Sequence, residues 1–284
     1  MRLTTLKKRV GRWLFTMPQD RSLFWSIERP DSGPHVDICR FGACEFRALD
    51  RSHTVTGGIG WPLGLQEALA ERGVGLGFQN VWTWNLSELP TDQRTLLKRR
   101  RLNRGAPDVV WIQGASYYSI RHVFGFHRRI VGLRENAGRW VGGGIFGVWR
   151  VVALLLRLFG RTMPPPPEAD WERLDTFVRL VQETWPNARI GIQGSLTMAF
   201  PGPLDPRQAA QIETRLRAFA HERGLDWIPT PELGTDMAMR CANGVNLNTA
   251  GSMVAGRHYA EWILAQTPSL VRVGRPQPVG GCSS

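Results

Sequence analysis

The chain has four cysteines, whose thiols could act as nucleophiles or metal ligands: Cys39, Cys44, Cys241 and Cys282. No two of them form a CxxC pair and none has ligand-like spacing with a histidine, so we expect no metal and no cofactor. A chain of 284 residues can bury a full core without disulfides. Free thiols therefore predict a reducing, cytoplasmic compartment. A thiol ionises near pH ~8.5, so it becomes a nucleophile with less help than a serine hydroxyl.

The positive charge of the chain comes almost entirely from arginine. Lysine and arginine number 36 against 24 acidic residues, for a net charge of +12, and the lysines are Lys7, Lys8 and Lys98. This excess is weak evidence for nucleic acid, although it predicts attraction to anionic surfaces. The basic run at 94–104 lacks interleaved aromatic residues, which favours a solvated helix face. We therefore do not expect nucleic acid as a partner.

Short apolar runs alternate with helical patterns along most of the chain. The predicted strands are 36–41, 76–81, 107–113, 188–192 and 226–229. The predicted helices are 63–72, 86–104, 170–185, 207–223 and 249–266. The third strand has the continuous apolar core expected of a buried parallel strand. The alternation predicts an α/β fold, a three-layer sandwich around a parallel sheet.

The segments outside this pattern set the expected domain boundaries. We expect a basic N-terminal leader at 1–33, an α/β domain at 34–270 and a flexible C-terminal tail at 271–284. The leader has no uninterrupted apolar stretch followed by a cleavage site, so we predict no signal peptide. About 55 residues separate the third strand from the next helix, too many for an ordinary loop. They predict a helical insertion at 130–166.

Residues 145–159 of this insertion are apolar except for Arg150 and Arg157, which share one narrow stripe. The run falls short of the ~20 residues that a membrane-spanning helix needs. One interpretation is a core helix of an inserted subdomain. The other is a lid or interfacial helix over an acyl-binding site, which would bring the protein into contact with a membrane surface.

Four stretches of the sequence resemble the signature blocks of the SGNH (GDSL-like) hydrolase superfamily. They are Phe41-Gly42-Ala43-Cys44, residues 80–85, Gly114-Ala115-Ser116-Tyr117 and residues 243–251. Their order and spacing cover roughly residues 36–266. The resemblance implies a flavodoxin-like sandwich with a five-stranded parallel sheet. It also implies an active site at the carboxyl ends of the strands, where open α/β sheets place ligands.

The residues that carry the chemistry of these blocks differ in this chain. By the resemblance, Cys44 stands where the family has its nucleophilic serine, and Ser116 stands where it has an oxyanion-hole asparagine. Asn243 and Asn246 occupy the places of the catalytic aspartate and histidine. The oxyanion-hole glycine falls within 82–85, where no glycine stands. The chain thus resembles a degenerate member that keeps the fold signature and lacks the Ser, Asn, Asp and His.

The altered residues still permit acyl chemistry. A thiolate at Cys44 could form an acyl-enzyme, because a helix N-terminus lowers the pKa of a thiol. Asn246 cannot accept and return a proton, so release of the acyl group to water would be slow and transfer to an amine or thiol would be favoured. Ser116 could donate a hydrogen bond to the oxyanion. His122 is the best candidate for a replacement base, although a surface or packing histidine is the simpler interpretation.

Further residues near the same blocks are candidates for lining the substrate cleft. They are Trp82, Trp84, Asn85, Gly114 and Tyr117. Aromatic walls favour an apolar or planar ligand, and ordinary core filling is the alternative. Two functions stay open. The first is transfer or hydrolysis of an ester or thioester acyl group on a small-molecule or carrier-bound substrate. The second is a catalytically inactive pseudoenzyme that binds a ligand or a partner.

Overall fold

The computed structural model describes residues 25–28, 30, 33–42, 60–83, 86–100, 105–113, 166–194, 206–233, 247, 249–266 and 272–273. Its strands are β1 (Trp25–Ile27), β2 (Pro34–Gly42), β3 (Gly75–Trp82), β4 (Val109–Gln113), β5 (Arg189–Gln193), β6 (Asp226–Ile228) and β7 (Arg272–Val273). Its α-helices are α1 (Trp61–Ala70), α2 (Gln93–Arg100), α3 (Glu168–Thr184), α4 (Pro206–Glu222) and α5 (Thr249–Ala265), and Leu86–Glu88 form a 3₁₀ turn.

Five of these strands form a parallel sheet in the order β3-β2-β4-β5-β6. Parallel neighbours need long crossover connections, and α1 to α4 each stand between two consecutive strands of the sheet. β1 pairs antiparallel with β3, and β7 pairs antiparallel with the first residues of β2. The predicted α/β fold with a five-stranded parallel sheet is confirmed.

Both faces of the sheet are covered, which explains why its strands carry apolar residues on both sides. Side chains alternate between the faces of a strand. Val36 and Ile38 of β2 therefore pack with α1 and α5, and Cys39 and Phe41 pack with α2, α3 and α4. In α3, an apolar stripe with helical spacing is buried on this second face. Its members are Leu174, Phe177, Val178 and Val181.

The helix predicted at 86–104 is wrong as a continuous element. The 3₁₀ turn ends at Glu88, and α2 begins only at Gln93. Pro90 lies between them, and a proline inside a helix removes a backbone hydrogen bond and clashes with the preceding turn. Asp92 then caps α2, because its Oδ1 accepts the backbone N–H of Thr95 at 2.8 Å. The hydrogen bonds from Thr95 lower the pKa of the Asp92 carboxyl.

The basic face expected on this helix is also corrected at two positions. Arg100 is buried and forms an ion pair with Asp37 of β2, with 2.6 Å between Nη2 and Oδ2. Arg99 is partly buried and donates from Nη1 to the carbonyl oxygen of Glu88 at 2.7 Å. These two arginines hold α2 against the sheet and the preceding turn, so their charge is not on a solvated surface.

Charged pairs also fix the edge where the strands begin. Asp108, just before β4, accepts the backbone N–H of Asp37 through Oδ2 at 2.8 Å. Arg189 of β5 binds Asp226 of β6 through two hydrogen bonds of 2.7 and 2.6 Å. The bond to the Asp226 carboxylate raises the pKa of Arg189. A carboxylate–backbone hydrogen bond and an ion pair therefore stabilise the amino edge of the sheet. This edge lies opposite the one where a ligand is expected.

Several expected boundaries meet residues that the structure describes only in part. The segment expected as a leader contributes β1 at its end, and the segment expected as a flexible tail contributes β7. Residues 130–165 of the predicted insertion, including 145–159, lie outside the described residues. The lid, core-helix and membrane-surface interpretations of that segment stay predictions. Among the helices that the structure describes, none has the length and apolarity needed to cross a membrane.

Candidate active site at the carboxyl edge of the sheet

Four polar side chains lie where the parallel strands end, on the sheet face that α1 and α5 cover. They are Arg40 of β2, Asn80 of β3, Gln113 of β4 and Gln193 of β5. The pairing register places Arg40 beside Asn80 and beside Trp111, two residues before Gln113. All four are buried. Buried polar groups cost free energy unless they are hydrogen-bonded, so this layer must be satisfied internally.

The guanidinium of Arg40 is the centre of this polar layer. Its Nη1 donates to Oδ1 of Asn80 at 2.9 Å, and its Nη2 donates to Oε1 of Gln113. Its Cζ also lies 5.5 Å from the ring centroid of Trp61, the first residue of α1. A cation over an indole ring is an attractive arrangement. The side chain therefore runs towards the carboxyl edge of the sheet and is held there on two sides.

The last residue of β2, Gly42, lies directly against this guanidinium. A Cβ atom placed on Gly42 would come 2.7 Å from Cζ of Arg40 and 2.7 Å from Oε1 of Gln113. The carbonyl oxygen of Gly42 accepts the backbone N–H of Thr83 at 3.3 Å and the Nδ2 group of Asn80 at 3.4 Å. A larger residue at this position would have to displace the ends of the Arg40 and Gln113 side chains, and the neighbouring strand fixes the direction of the Gly42 peptide group.

Substituting Gly42→Ala is expected to displace the Arg40 guanidinium and to destabilise the protein by about 1–3 kcal/mol, as extra atoms do in a packed interior. Urea denaturation followed by circular dichroism measures this free energy. In the double variant Gly42→Ala/Arg40→Lys, the shorter ammonium side chain should relieve the clash. Its loss in free energy of unfolding should therefore be smaller than the sum of the losses in the two single variants. A loss equal to that sum would show that the contact between residue 42 and Arg40 is not the cause of the destabilisation.

A second hydrogen-bonded chain continues the layer towards β6. Trp111 donates from Nε1 to Oε1 of Gln193 at 2.9 Å, and Nε2 of Gln193 donates to the hydroxyl of Tyr259 on α5. The rings of Trp61, Trp111 and Tyr259 meet one another at centroid distances of 4.8 to 5.1 Å. These contacts join α1, α5 and two strands into one packed layer under the carboxyl edge. We call this layer the floor of the candidate site; it consists of Arg40, Trp61, Asn80, Trp111, Gln113, Gln193 and Tyr259.

The floor places a permanent positive charge, the Arg40 guanidinium with amide groups around it, immediately below the point where β2 ends. A guanidinium stays protonated at any physiological pH. The guanidinium and its amide partners are thus the charged part of the layer beneath the end of β2.

Most of the site residues predicted from the sequence lie outside the described residues. They are Cys44, Trp84, Asn85, Gly114, Ser116, Tyr117, His122, Asn243 and Asn246. Trp82 is the last residue of β3. The described strands do bring the starting points of two predicted blocks together, because Gly42 precedes Cys44 by two residues and Gln113 precedes Ser116 by three. That the predicted side chains lie close together stays a prediction.

Sequence reasoning missed the residues that build the floor. The predicted strands contain Arg40 and Gln113 without a role, Gln193 follows the end of a predicted strand, and Tyr259 lies in a predicted helix. A signal did exist, since Arg40 interrupts an apolar strand at a position that alternation turns into the core, and glutamine ends two strands. The sequence could not indicate the partners of these residues, because the partners lie about 40 to 80 positions away along the chain. The bonds to Asn80, Gln113 and Tyr259 illustrate this separation.

Comparison with solved structures adds to this description. One solved structure matches with a TM-score of 0.50 at 12% sequence identity, over 81% of this chain and 97% of its own. The family 3 carbohydrate esterase of Clostridium thermocellum matches with a TM-score of 0.44 at 13% identity, over 82% of this chain and 98% of its own. The lipase/acylhydrolase from Enterococcus faecalis matches with a TM-score of 0.44 at 11% identity, over 84% and 99%. At such identities the likeness concerns the fold alone.

The five-stranded parallel sheet with helices on both faces is the architecture that the resemblance implied. The solved structure with a TM-score of 0.50 shares this α/β fold. No family profile matches the sequence, and no curated protein matches it either. β2 is a central strand of the sheet and ends on Gly42.

Proposed function

We propose that this SGNH-fold protein transfers acyl groups from esters or thioesters, with Cys44 as the nucleophile. One observation carries the proposal. β2 is a central strand, it ends at Gly42 on the edge where α/β sheets bind ligands, and Cys44 follows two residues later.

The reaction needs two steps. In the first, the Cys44 thiolate attacks the acyl carbonyl carbon, a carbon–sulfur bond forms, the bond to the leaving alcohol or thiol breaks, and the leaving group takes a proton from solvent. In the second, an amine or thiol acceptor attacks the thioester, loses its proton to solvent and regenerates the thiolate. Ser116 is assigned the role of a hydrogen-bond donor to the oxyanion, and His122 that of the candidate base.

Asn243 and Asn246 set the expected balance between transfer and hydrolysis. An amide side chain cannot act as a general base, and general acid–base catalysis contributes about 10²–10⁴ in rate. Deacylation by water should be slower by about that factor than in an enzyme with a working base, so the acyl adduct should accumulate. A soft acceptor that needs little activation, such as a thiol, should release it.

Incubation with p-nitrophenyl acetate and with an acyl thioester, followed by intact-protein and peptide mass spectrometry, tests this proposal. We expect one acyl group on Cys44 that persists in buffer and disappears when a thiol is added. Cys44→Ala should give no adduct. Cys39→Ala is the matched control, because Cys39 is completely buried and should leave acylation unchanged.

Two outcomes would contradict the proposal. If the wild type gains no adduct at Cys44 with either probe, the protein does not use this thiol for acyl chemistry, and the ligand-binding pseudoenzyme is the better interpretation. If Cys44→Ala is acylated as fast as the wild type, another residue is the nucleophile.

A further inference from the structure

The polar layer of Arg40, Asn80, Gln113 and Gln193 crosses four adjacent strands near the carboxyl edge of the sheet. Arg40 lies directly opposite Asn80, and Gln113 lies directly opposite Gln193. The two pairs are joined diagonally, because Nη2 of Arg40 donates to Oε1 of Gln113. Each of the four strands therefore contributes one buried polar side chain to a single connected row.

The next row towards the amino edge, on the same face, is apolar. Two residues before the polar layer, β2, β3 and β4 carry Ile38, Phe78 and Trp111, all completely buried. A strand displaced by two residues keeps every side chain on its own face. Since apolar contacts are not directional, packing alone distinguishes the native register only weakly from such a displaced one.

The polar layer does not accept this displacement. A shift of β3 by two residues along β2 would bring residue 78 or residue 82 opposite Arg40. It would break the bond from Nη1 of Arg40 to Oδ1 of Asn80, which is 2.9 Å long, at a depth where the two residues are 0% and 2% exposed. A buried polar group that loses its partner raises the free energy, and most of all when a charged group is involved.

We propose that the polar layer fixes the register of the central parallel strands by excluding arrangements in which a strand is displaced by two residues. The same holds between β4 and β5, where displacement would break the 2.9 Å bond from Nε1 of Trp111 to Oε1 of Gln193. This role belongs to the fold and is independent of the proposed acyl chemistry. The register also sets the relative heights at which the chain leaves β2 at Gly42 and β4 at Gln113.

Disulfide trapping measures this register directly, because Cys39 of β2 lies opposite Gln79 of β3. A disulfide needs Cα atoms about 4.4–6.8 Å apart, and residues directly opposite on strands about 4.8 Å apart meet this condition. Residues that are two positions out of register are about 8 Å apart and do not. Gln79→Cys therefore reports the native register, and Val81→Cys and Gly77→Cys report the two displaced registers.

The experiment is refolding of the full chain from urea under oxidising conditions, followed by peptide mass spectrometry. With the polar layer intact, we expect Cys39 to form a disulfide in Gln79→Cys and almost none in Val81→Cys or Gly77→Cys.

The layer-free background is Arg40→Met/Asn80→Leu/Gln113→Met, which keeps the side-chain volumes similar and removes the hydrogen bonds. In this background the disulfide yield of one displaced-register reporter should rise about tenfold or more, because a hydrogen bond to a charged group contributes at least that factor to an equilibrium. The matched control is Ile38→Leu/Phe78→Leu, an apolar pair that lies directly opposite in the neighbouring row. It should leave the yields of the displaced-register reporters unchanged.

A second background keeps the inference testable if the layer-free chain fails to fold, which circular dichroism would show. Phe78→Asn/Asn80→Phe keeps the composition and moves the amide two residues towards the amino end of β3. An amide at position 78 meets Arg40 when residue 77 lies opposite Cys39. The disulfide yield of Gly77→Cys should then exceed that of Val81→Cys.

Two results would overturn the inference. One is a disulfide in the native register only, in both the layer-free and the exchanged backgrounds. The other is an equal rise in the apolar control, because the register would then depend on core packing in general and not on the polar layer.

Discussion

Replacing Arg100 by methionine is expected to destabilise the protein by about 3–5 kcal/mol, the usual cost of removing one partner of a buried ion pair. The side chains of Arg100 and Asp37 are 4% and 2% exposed, and 2.6 Å separates Nη2 from Oδ2. Without the guanidinium, the carboxylate of Asp37 stays in the interior beside the core strand β2. Arg100 also donates from Nη1 to Oε1 of Gln79 at 3.3 Å, so this amide loses a partner as well.

Urea denaturation of Arg100→Met measures this loss. The double variant Asp37→Leu/Arg100→Met should recover most of it, because no charge is left buried. Arg94→Met, an exposed position on the same helix, is the matched control and should change the free energy of unfolding by less than about 0.5 kcal/mol. A loss below about 1 kcal/mol in Arg100→Met would contradict a tightly buried pair.

The Gly256→Ala substitution is expected to cost about 3 kcal/mol, at the top of the range for overpacked interiors. α1 and α5 cross with their backbones in contact at Gly64 and Gly256. A Cβ on Gly256 would come 2.7 Å from Cα of Gly64 and closer still to its carbonyl carbon and to the nitrogen of Leu65. Backbone atoms cannot rotate away as a side chain can, so the two helices would have to separate.

This separation should reach the candidate site. α1 carries Trp61, which covers the Arg40 guanidinium, and α5 carries Tyr259, which bonds Gln193. We therefore expect Gly256→Ala to lower both the free energy of unfolding and the rate of Cys44 modification. Alanine favours a helix by about 1 kcal/mol over glycine, so any net loss reports the clash.

Denaturation of the exposed-site variant Val254→Ala on the same helix controls for the effect of substitution itself. It should stay within about 0.5 kcal/mol of the wild type. An increase in stability in Gly256→Ala would show that α1 and α5 do not touch at this crossing.

The alternation of strands and helices was predictable because it is a local property. Predicted strands at 36–41, 76–81 and 188–192 correspond to Pro34–Gly42, Gly75–Trp82 and Arg189–Gln193. The predicted helix at 249–266 corresponds to Thr249–Ala265. In each case apolar periodicity within about a dozen residues decides the element. The helix predicted at 86–104 is an exception, because Pro90 interrupts it.

The candidate site was predictable only in outline. The resemblance pointed to the ends of the strands, and the structure describes the floor beneath that edge rather than the predicted side chains themselves. Arg40 and Arg100 illustrate the limit. Arg100 belongs to the basic run that was predicted as a solvated helix face, and Arg40 lies in a predicted strand without a role. Both are buried.

By itself, then, the sequence predicted the order of strands and helices and their parallel arrangement, and the ligand-binding edge that it indicates stays a prediction. Only the tertiary structure decided that Arg40 lies on Asn80, Gln113 and Gly42, and that Arg100 pairs with Asp37. The reason is physical. Periodicity is written in neighbouring residues, whereas the environment of a buried charge is made of residues that the folded sheet and helices bring together from 40 or more positions away, as with Asn80.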